Sequence, residues 1–277
     1  MFHRLTTLFV SALFGMSLSS ANAHDLHRAT YLGNAGVLIE NGDTKILFDA
    51  FYALGYGQYA LVPDIILTAM MQGVAPYDGI DAVFISHVHG DHFTAEPAIA
   101  YLRAHPDVQL YGSTQVINAI IEAGVPEDDP LHQQLTGIAL TPTDEPIAIE
   151  NGAISIDVVA IPHAGNRPQI QNYAWRATLN DETTVIHLGD ADTAVSNFSR
   201  HTEHFEARTH DMALPPYWFL DSDSGKLIIN DILKADQTIG VHVPERAIGD
   251  GDAWRERAGG DLFTDPGETR SFAEPSE

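Results

Sequence analysis

Ser86-His87-Val88-His89-Gly90-Asp91-His92 decides how this chain is read. The stretch continues Asp81 to Ser86 (DAVFIS), a short apolar run of the buried-strand type. Three imidazoles and a carboxylate stand within six residues at the end of that strand. Gly90 lets the backbone turn sharply enough for their side chains to converge instead of alternating. Four polar residues parked together at the end of an apolar strand are costly to bury unless something binds them, so the cluster reads as a metal site.

Three further positions share this placement, each just after an apolar run. His163 closes Val158-Val159-Ala160-Ile161-Pro162-His163, Asp190 closes Val185-Ile186-His187-Leu188-Gly189-Asp190, and His242 closes Thr238-Ile239-Gly240-Val241-His242. With the first cluster they make five His and two Asp. That set suffices for two divalent ions if one Asp bridges them and each ion keeps room for water.

Around these residues, strand-like and helix-like stretches alternate without repeats, as in one α/β domain. Thr30 to Glu40 and Thr44 to Phe48 flank Asn41-Gly42-Asp43 and read as a hairpin. Helical spacing covers Ala95 to Arg103, Thr114 to Ala123, Val195 to Ala207 and Ile228 to Lys234. Further strands are read at Ile154 to Ile161, Tyr173 to Leu179, Thr184 to Leu188, Met212 to Leu214 and Thr238 to Val243. Residues 251–277 carry few large apolar groups and read as an irregular acidic tail after a catalytic domain over residues 24–250.

Composition narrows the chemistry. There are 14 Lys plus Arg against 38 Asp plus Glu, a formal charge of −24, which repels a phosphate backbone and argues against bulk nucleic-acid binding. Cysteine is absent, which leaves out disulfides, thiolate nucleophiles and Cys-type zinc sites. Residues 1–23 read as a signal peptide: Arg4 precedes an apolar stretch from Leu5 to Leu18, and Ala21-Asn22-Ala23 is a small-x-small cleavage site. The apolar stretch falls short of the ~20 residues that span a bilayer, so the expectation is a periplasmic or secreted bacterial protein with no membrane anchor after cleavage.

The ligand pattern and its order resemble the metallo-β-lactamase-fold hydrolases, and Gly33-Asn34-Ala35-Gly36-Val37-Leu38-Ile39 is similar to the opening strand of their ascorbate-6-phosphate lactonase-like branch, where many relatives have His at the place of Asn34. The resemblance implies an αββα sandwich of two mixed sheets flanked by helices. It also implies His87, His89 and His163 on one metal, Asp91, His92 and His242 on the other, and Asp190 shared. Zinc is the default ion for such N/O ligands, with manganese or iron fitting nearly as well. The chemistry implied is attack by a metal-bridging hydroxide on a small-molecule ester, lactone or phosphodiester, with Asp91 as proton shuttle. A non-catalytic periplasmic metal-binding or sensor protein and a β-lactamase-like amide hydrolase are the alternatives.

Neighbouring residues carry weaker signals. Asp49 could accept the free N–H of a ligand His or simply cap a turn, and Asp192 could orient a ligand or cap a helix. Asn166 and Arg167 could reach an anionic substrate, although pairing with one of the many acids is favoured for Arg167. His187 reads as structural. The segment Phe51 to Gly79 is rich in aromatic and apolar residues and could serve as an apolar lid, as surface packing, or as the contact of a homo-oligomer.

Overall fold

The chain enters on a three-stranded meander, β1 (His27–Gly33), β2 (Gly36–Asn41) and β3 (Thr44–Phe48). The computed structural model describes residues 27–272, so the stretch read as a signal peptide, with cleavage expected after Ala23, lies outside the described residues. The run Thr30 to Glu40, read as one strand, folds back on itself. Gly33 and Asn34 adopt positive φ (+144° and +47°) and Gly33 pairs with Gly36. Apolar residues continue on both sides of this small-residue turn, so hydrophobic patterning alone does not reveal it. The next turn is where Asn41-Gly42-Asp43 places it, with Asn41 paired to Thr44.

After α1 (Asp64–Met71), strands β4 (Ala82–Phe84), β5 (Gln109–Ser113) and β6 (Leu135–Ile138) add in parallel to β3. Helices α2 (Ala95–Ala104) and α3 (Thr114–Glu122) connect them close to their predicted spans, and the Ser113 hydroxyl caps α3 by accepting from the Val116 amide. A second sheet contains β7 (Ile147–Asn151), β8 (Ile154–Ala160), β9 (Tyr173–Leu179), β10 (Thr183–His187), β11 (Met212–Leu214), β12 (Gln237–Gly240) and β13 (Asp261–Leu262). Strands β7 to β10 are antiparallel, with a hairpin turn at left-handed Asn180 and Asp181; β10 to β13 are parallel. Val195 to Ala207, read as one helix, is two short ones, Val195–Ser199 and Thr202–Glu206. The Thr202 hydroxyl bonds the Ser199 carbonyl at the break, a local side-chain competitor for the helix ladder.

The C-terminal stretch corrects the sequence reading most. Residues 251–272 are not irregular: they form a helix (Gly251–Ala258), β13, and β14 (Thr269–Ser271), which returns to the first sheet beside β1. Their few large apolar residues, Trp254, Leu262, Phe263 and Phe272, are all buried, and Arg255–Glu268 and Arg270–Asp261 ion pairs tie the segment together. Sparse apolar residues suffice when each finds an existing core.

Tyr31, Phe48, Phe84 and Trp175 fill the space between the two sheets, while Leu102 and Val116 lie under the first set of helices and Phe198, Phe219 and Trp254 under the second. This is the helix–sheet–sheet–helix sandwich implied by the resemblance. Among the described residues no helix is long and apolar enough to cross a membrane. Strands β8, β10 and β12 run the same way, so the chain after each emerges at one rim, opposite the loop that follows β4.

Candidate metal centre

The structure brings all seven sequence-predicted residues to that rim. Potential ligand atoms of His87, His89, His163 and Asp190 lie within 4.8 Å of one another, and those of Asp91, His92 and His242 form a second such group. Asp190 faces both. Its Oδ2 is 3.4 Å from His163 Nε2 and 3.9 Å from His87 Nε2, while its Oδ1 is 3.1 Å from His92 Nε2 and 3.2 Å from His242 Nε2. Asp91 Oδ2 sits 3.3 Å from His242 Nε2 and 3.9 Å from His92 Nε2.

The remaining hydrogen bonds fix which nitrogen of the His92, His87 and His163 rings faces the centre. Asp49, buried at the end of β3, accepts from the Ser86 amide (2.7 Å), the Ser86 hydroxyl (2.6 Å) and His92 Nδ1 (2.7 Å). The ionised carboxylate can only accept, so His92 carries its proton on Nδ1 and turns the Nε2 lone pair inward. Ser86 spends its one hydroxyl proton on Asp49 and therefore accepts from His87 Nδ1 at 3.0 Å, which frees His87 Nε2 in the same sense. His163 Nδ1 donates to the Ala164 carbonyl at 2.6 Å. Asp49 thus does what the more functional of its two sequence readings required.

Three lone pairs then meet with too few protons. His89 Nδ1 is 3.0 Å from His87 Nε2 and 3.1 Å from His163 Nε2, and it can donate to only one of them. His92 Nε2, His242 Nε2 and Asp190 Oδ1 are buried without a well-directed hydrogen bond, although their separations are short. Buried acceptors crowded in this way are costly unless a cation satisfies them, and five imidazoles with two carboxylates fit divalent ions of the zinc, manganese or iron kind.

Protonation reflects the same crowding. Burial holds the His87, His89 and His163 imidazoles below the usual histidine value, His87 far below. Burial acts downward on His92 too, but Asp190 and Asp49 outweigh it and hold His92 well above, so without an ion its Nε2 keeps a proton facing Asp190, and a cation would take that proton's place. Burial would raise Asp190, yet His242 and His92 keep it well below the usual carboxylate range.

Residues that the motif did not single out hold the loops in place. Asn34 donates from Nδ2 to the Asp91 carbonyl (2.8 Å) and accepts the His242 amide on its own carbonyl (2.8 Å), joining two ligand loops through the β1–β2 turn. Asn172 accepts the Asp190 amide at 2.9 Å and donates to the Ile161 and Leu188 carbonyls. Only their small polar character near apolar runs could have signalled this. Gly90 is covered by Leu54 and Tyr56, and the Leu54 amide bonds the Gly90 carbonyl, so the start of the Phe51–Gly79 segment lies along the ligand loop. The remainder does not: α1 packs Met70 into the core beneath the first sheet. Tyr59 and Trp218 set their rings edge-on to His242. His187 is structural, donating from Nε2 to the Ala35 carbonyl and stacking on Phe48. Asp192 accepts the Ala194 amide in the turn ahead of the Val195–Ser199 helix, whose N-cap is Ala194, so the side chain does not cap that helix. A cavity of about 610 Å³ opens beside His163, lined also by Asn166, Arg167, Tyr173 and Asn197.

Residues 44–246 match the family model described as Beta-lactamase superfamily domain. The chain belongs to this superfamily. No curated protein is significantly similar in sequence. Among solved structures, the metallo-beta-lactamase fold protein YhfI from Bacillus subtilis superposes with TM-score 0.57 at 18% identity, over 88% of this chain and 98% of that one. Igni18, a metallo hydrolase from Ignicoccus hospitalis, gives 0.57 at 15% (89% and 98%), and the isothiocyanate hydrolase from Delia radicum gut bacteria gives 0.59 at 15% (88% and 99%). The shared feature at these identities is the fold. This superfamily member therefore has the fold of metal-dependent hydrolases, with a His/Asp metal-binding constellation where its sheets meet.

Proposed function

We propose that this chain is an exported, binuclear metal-dependent hydrolase acting on a small ester, lactone or phosphodiester in the periplasm. The observation that carries the reading is the division of Asp190 between two ligand sets, Oδ2 toward His163 and His87 and Oδ1 toward His92 and His242. One carboxylate shared between two groups suits two ions, whereas a closed structural site usually takes four ligands and one ion.

In this reading His87, His89 and His163 hold one ion, Asp91, His92 and His242 the other, and Asp190 bridges. Divalent ions held there would supply Lewis acidity and lower the pKa of bound water toward ~7. Asp91 engages His242 and His92 through Oδ2, leaving Oδ1 to carry a proton to the leaving group. Leu54, Tyr56, Tyr59 and Trp218 give the centre an apolar rim that limits bulk water.

The test is metal content by mass spectrometry on mature protein purified without chelator, together with His89→Ala, followed by a hydrolysis panel. Two equivalents of zinc, manganese or iron that fall sharply in the variant, with turnover of an ester, lactone or phosphodiester, are expected. The panel includes an isothiocyanate because a neighbour of the same fold is described as its hydrolase. Failure to bind metal on reconstitution would overturn the reading.

A further inference from the structure

We propose that Arg167 is a specificity-determining residue of this centre and that its substrate carries an anionic group, carboxylate or phosphate, set apart from the bond that is cut; the inference rests on the hydrolase reading. Arg167 lies four residues after His163 and lines the same cavity of about 610 Å³. The loop between them turns through two left-handed residues, Gly165 (φ +74°) and Asn166 (φ +55°). It is pinned on its far side: the Gln115 amide side chain donates to the Gln169 carbonyl at 2.7 Å, and the Gln171 amide donates back to Gln115 at 2.9 Å. The loop is therefore held in place while the guanidinium at its tip stays exposed.

The Arg167 guanidinium has no partner among the described residues. In a chain with 38 acids, Arg28, Arg103, Arg176, Arg255 and Arg270 form ion pairs; Arg200, Arg208, Arg246 and Arg257 do not, and neither does Arg167, whose guanidinium also makes no hydrogen bond among the described residues and which is the one of these that lines the cavity beside His163. The acid sharing its cavity, Asp192, accepts the Ala194 amide on Oδ1 and forms no ion pair with Arg167. A protein of charge −24 repels anions at long range, so an anionic substrate needs a local cation to seat it, and a planar fork of N–H donors suits carboxylate or phosphate. The cavity is otherwise lined by amides and by Leu140, Pro142, Ile170 and Tyr173, room for a small polar body between charge and scissile bond.

The experiment compares matched nitrophenyl esters on the metal-loaded mature protein: a succinate half-ester, an ester of the same length bearing a phosphate, and a neutral methyl-capped analogue. In wild type one of the anionic esters is preferred, and which one identifies the group. In Arg167→Ala that preference falls about tenfold through KM, with partial recovery in Arg167→Lys. No preference in wild type, or a preference that survives Arg167→Ala, overturns the inference. If wild type cleaves none of the three, the hydrolase reading is what fails for this class. Calorimetric titration with succinate and with inorganic phosphate then decides Arg167 separately: about tenfold weaker binding in Arg167→Ala supports the assignment, and equal or absent binding refutes it.

Discussion

Replacing Asp49 by Asn tests the central geometric argument without touching a proposed ligand. The amide keeps the shape and one carbonyl oxygen, which can still accept the Ser86 amide now bonded at 2.7 Å. Its NH2 must then stand where Oδ2 accepts from the Ser86 hydroxyl (2.6 Å) and His92 Nδ1 (2.7 Å). Two donors cannot share that contact, so His92 has to move its proton to Nε2, the atom 3.1 Å from Asp190 Oδ1 and directed at the centre. The ligand lone pair is lost or must be recovered against that preference. Partners of this kind are worth about 10–100-fold in metal affinity, or about 1.4–2.8 kcal/mol. Chelator competition on Asp49→Asn should show this loss in one of two equivalents, the one held by Asp91, His92 and His242. Asp157→Asn, which removes the distant ion pair with Arg176, is the control and should leave both equivalents alone. Unchanged affinity in Asp49→Asn would show that Asp49 does not set the His92 tautomer.

Other perturbations follow from the same structure. A Cβ at Gly189, where φ is +55°, would overlap Asn172 Oδ1 and lie 2.6 Å from Ser86 Cβ, so Gly189→Ala should destabilise by about 2–5 kcal/mol in denaturant melts. Gly90→Ala meets Leu54 Cδ1 at 2.6 Å and the Tyr56 hydroxyl at 2.9 Å, exposed tips that can swing away, and should cost much less. For Asn34 (φ +47°), Asn34→Gly removes only the bond to the Asp91 carbonyl, whereas Asn34→Ala also forces a left-handed alanine; the alanine variant should be about 1 kcal/mol less stable than the glycine one. Metal-free protein should be most stable near pH 6.5. His92 has a raised folded value, so its contribution is complete below 6.5 and lost as pH rises through that value; the buried, lowered His87, His89 and His163 contribute above 6.5 and lose that as pH falls. Thermal melts after chelation that rise steadily across neutral pH would contradict this.

The ligands were legible because each ends an apolar strand, and period-2 patterning marks strand ends well. Of the supporting groups, Asp49 was legible at the end of its strand and the others were not. Asn34, Ser86 and Asn172 act through hydrogen bonds to residues 57, 37 and 18 positions away, separations that only the assembled sheets define. Patterning failed at the β1–β2 turn because apolar alternation resumes immediately after it, and at residues 251–272 because composition counts apolar residues without seeing that Trp254 and Phe263 each dock on a core already built. Arg167 shows the opposite error: the excess of acids favoured an ion pair, but the pinned loop keeps it from one.

Unusual backbone conformations gather around the centre. Among the described residues, the non-glycine positions of positive φ include Asn34, Asp49 and His242, all in contact with the ligand set, and Tyr56 and Asn166 at its rim. Asn and Asp tolerate this region, but a left-handed histidine costs of order 1–3 kcal/mol and persists only where surroundings over-determine it. At His242 they do: its amide is held by the Asn34 carbonyl, its ring lies between Tyr59 and Trp218, and the preceding Val241 is bonded to Pro215 and Tyr217. These protein contacts hold the His242 ring with its Nε2 3.2 Å from Asp190 Oδ1, so loosening any of them should displace this ligand atom without removing it.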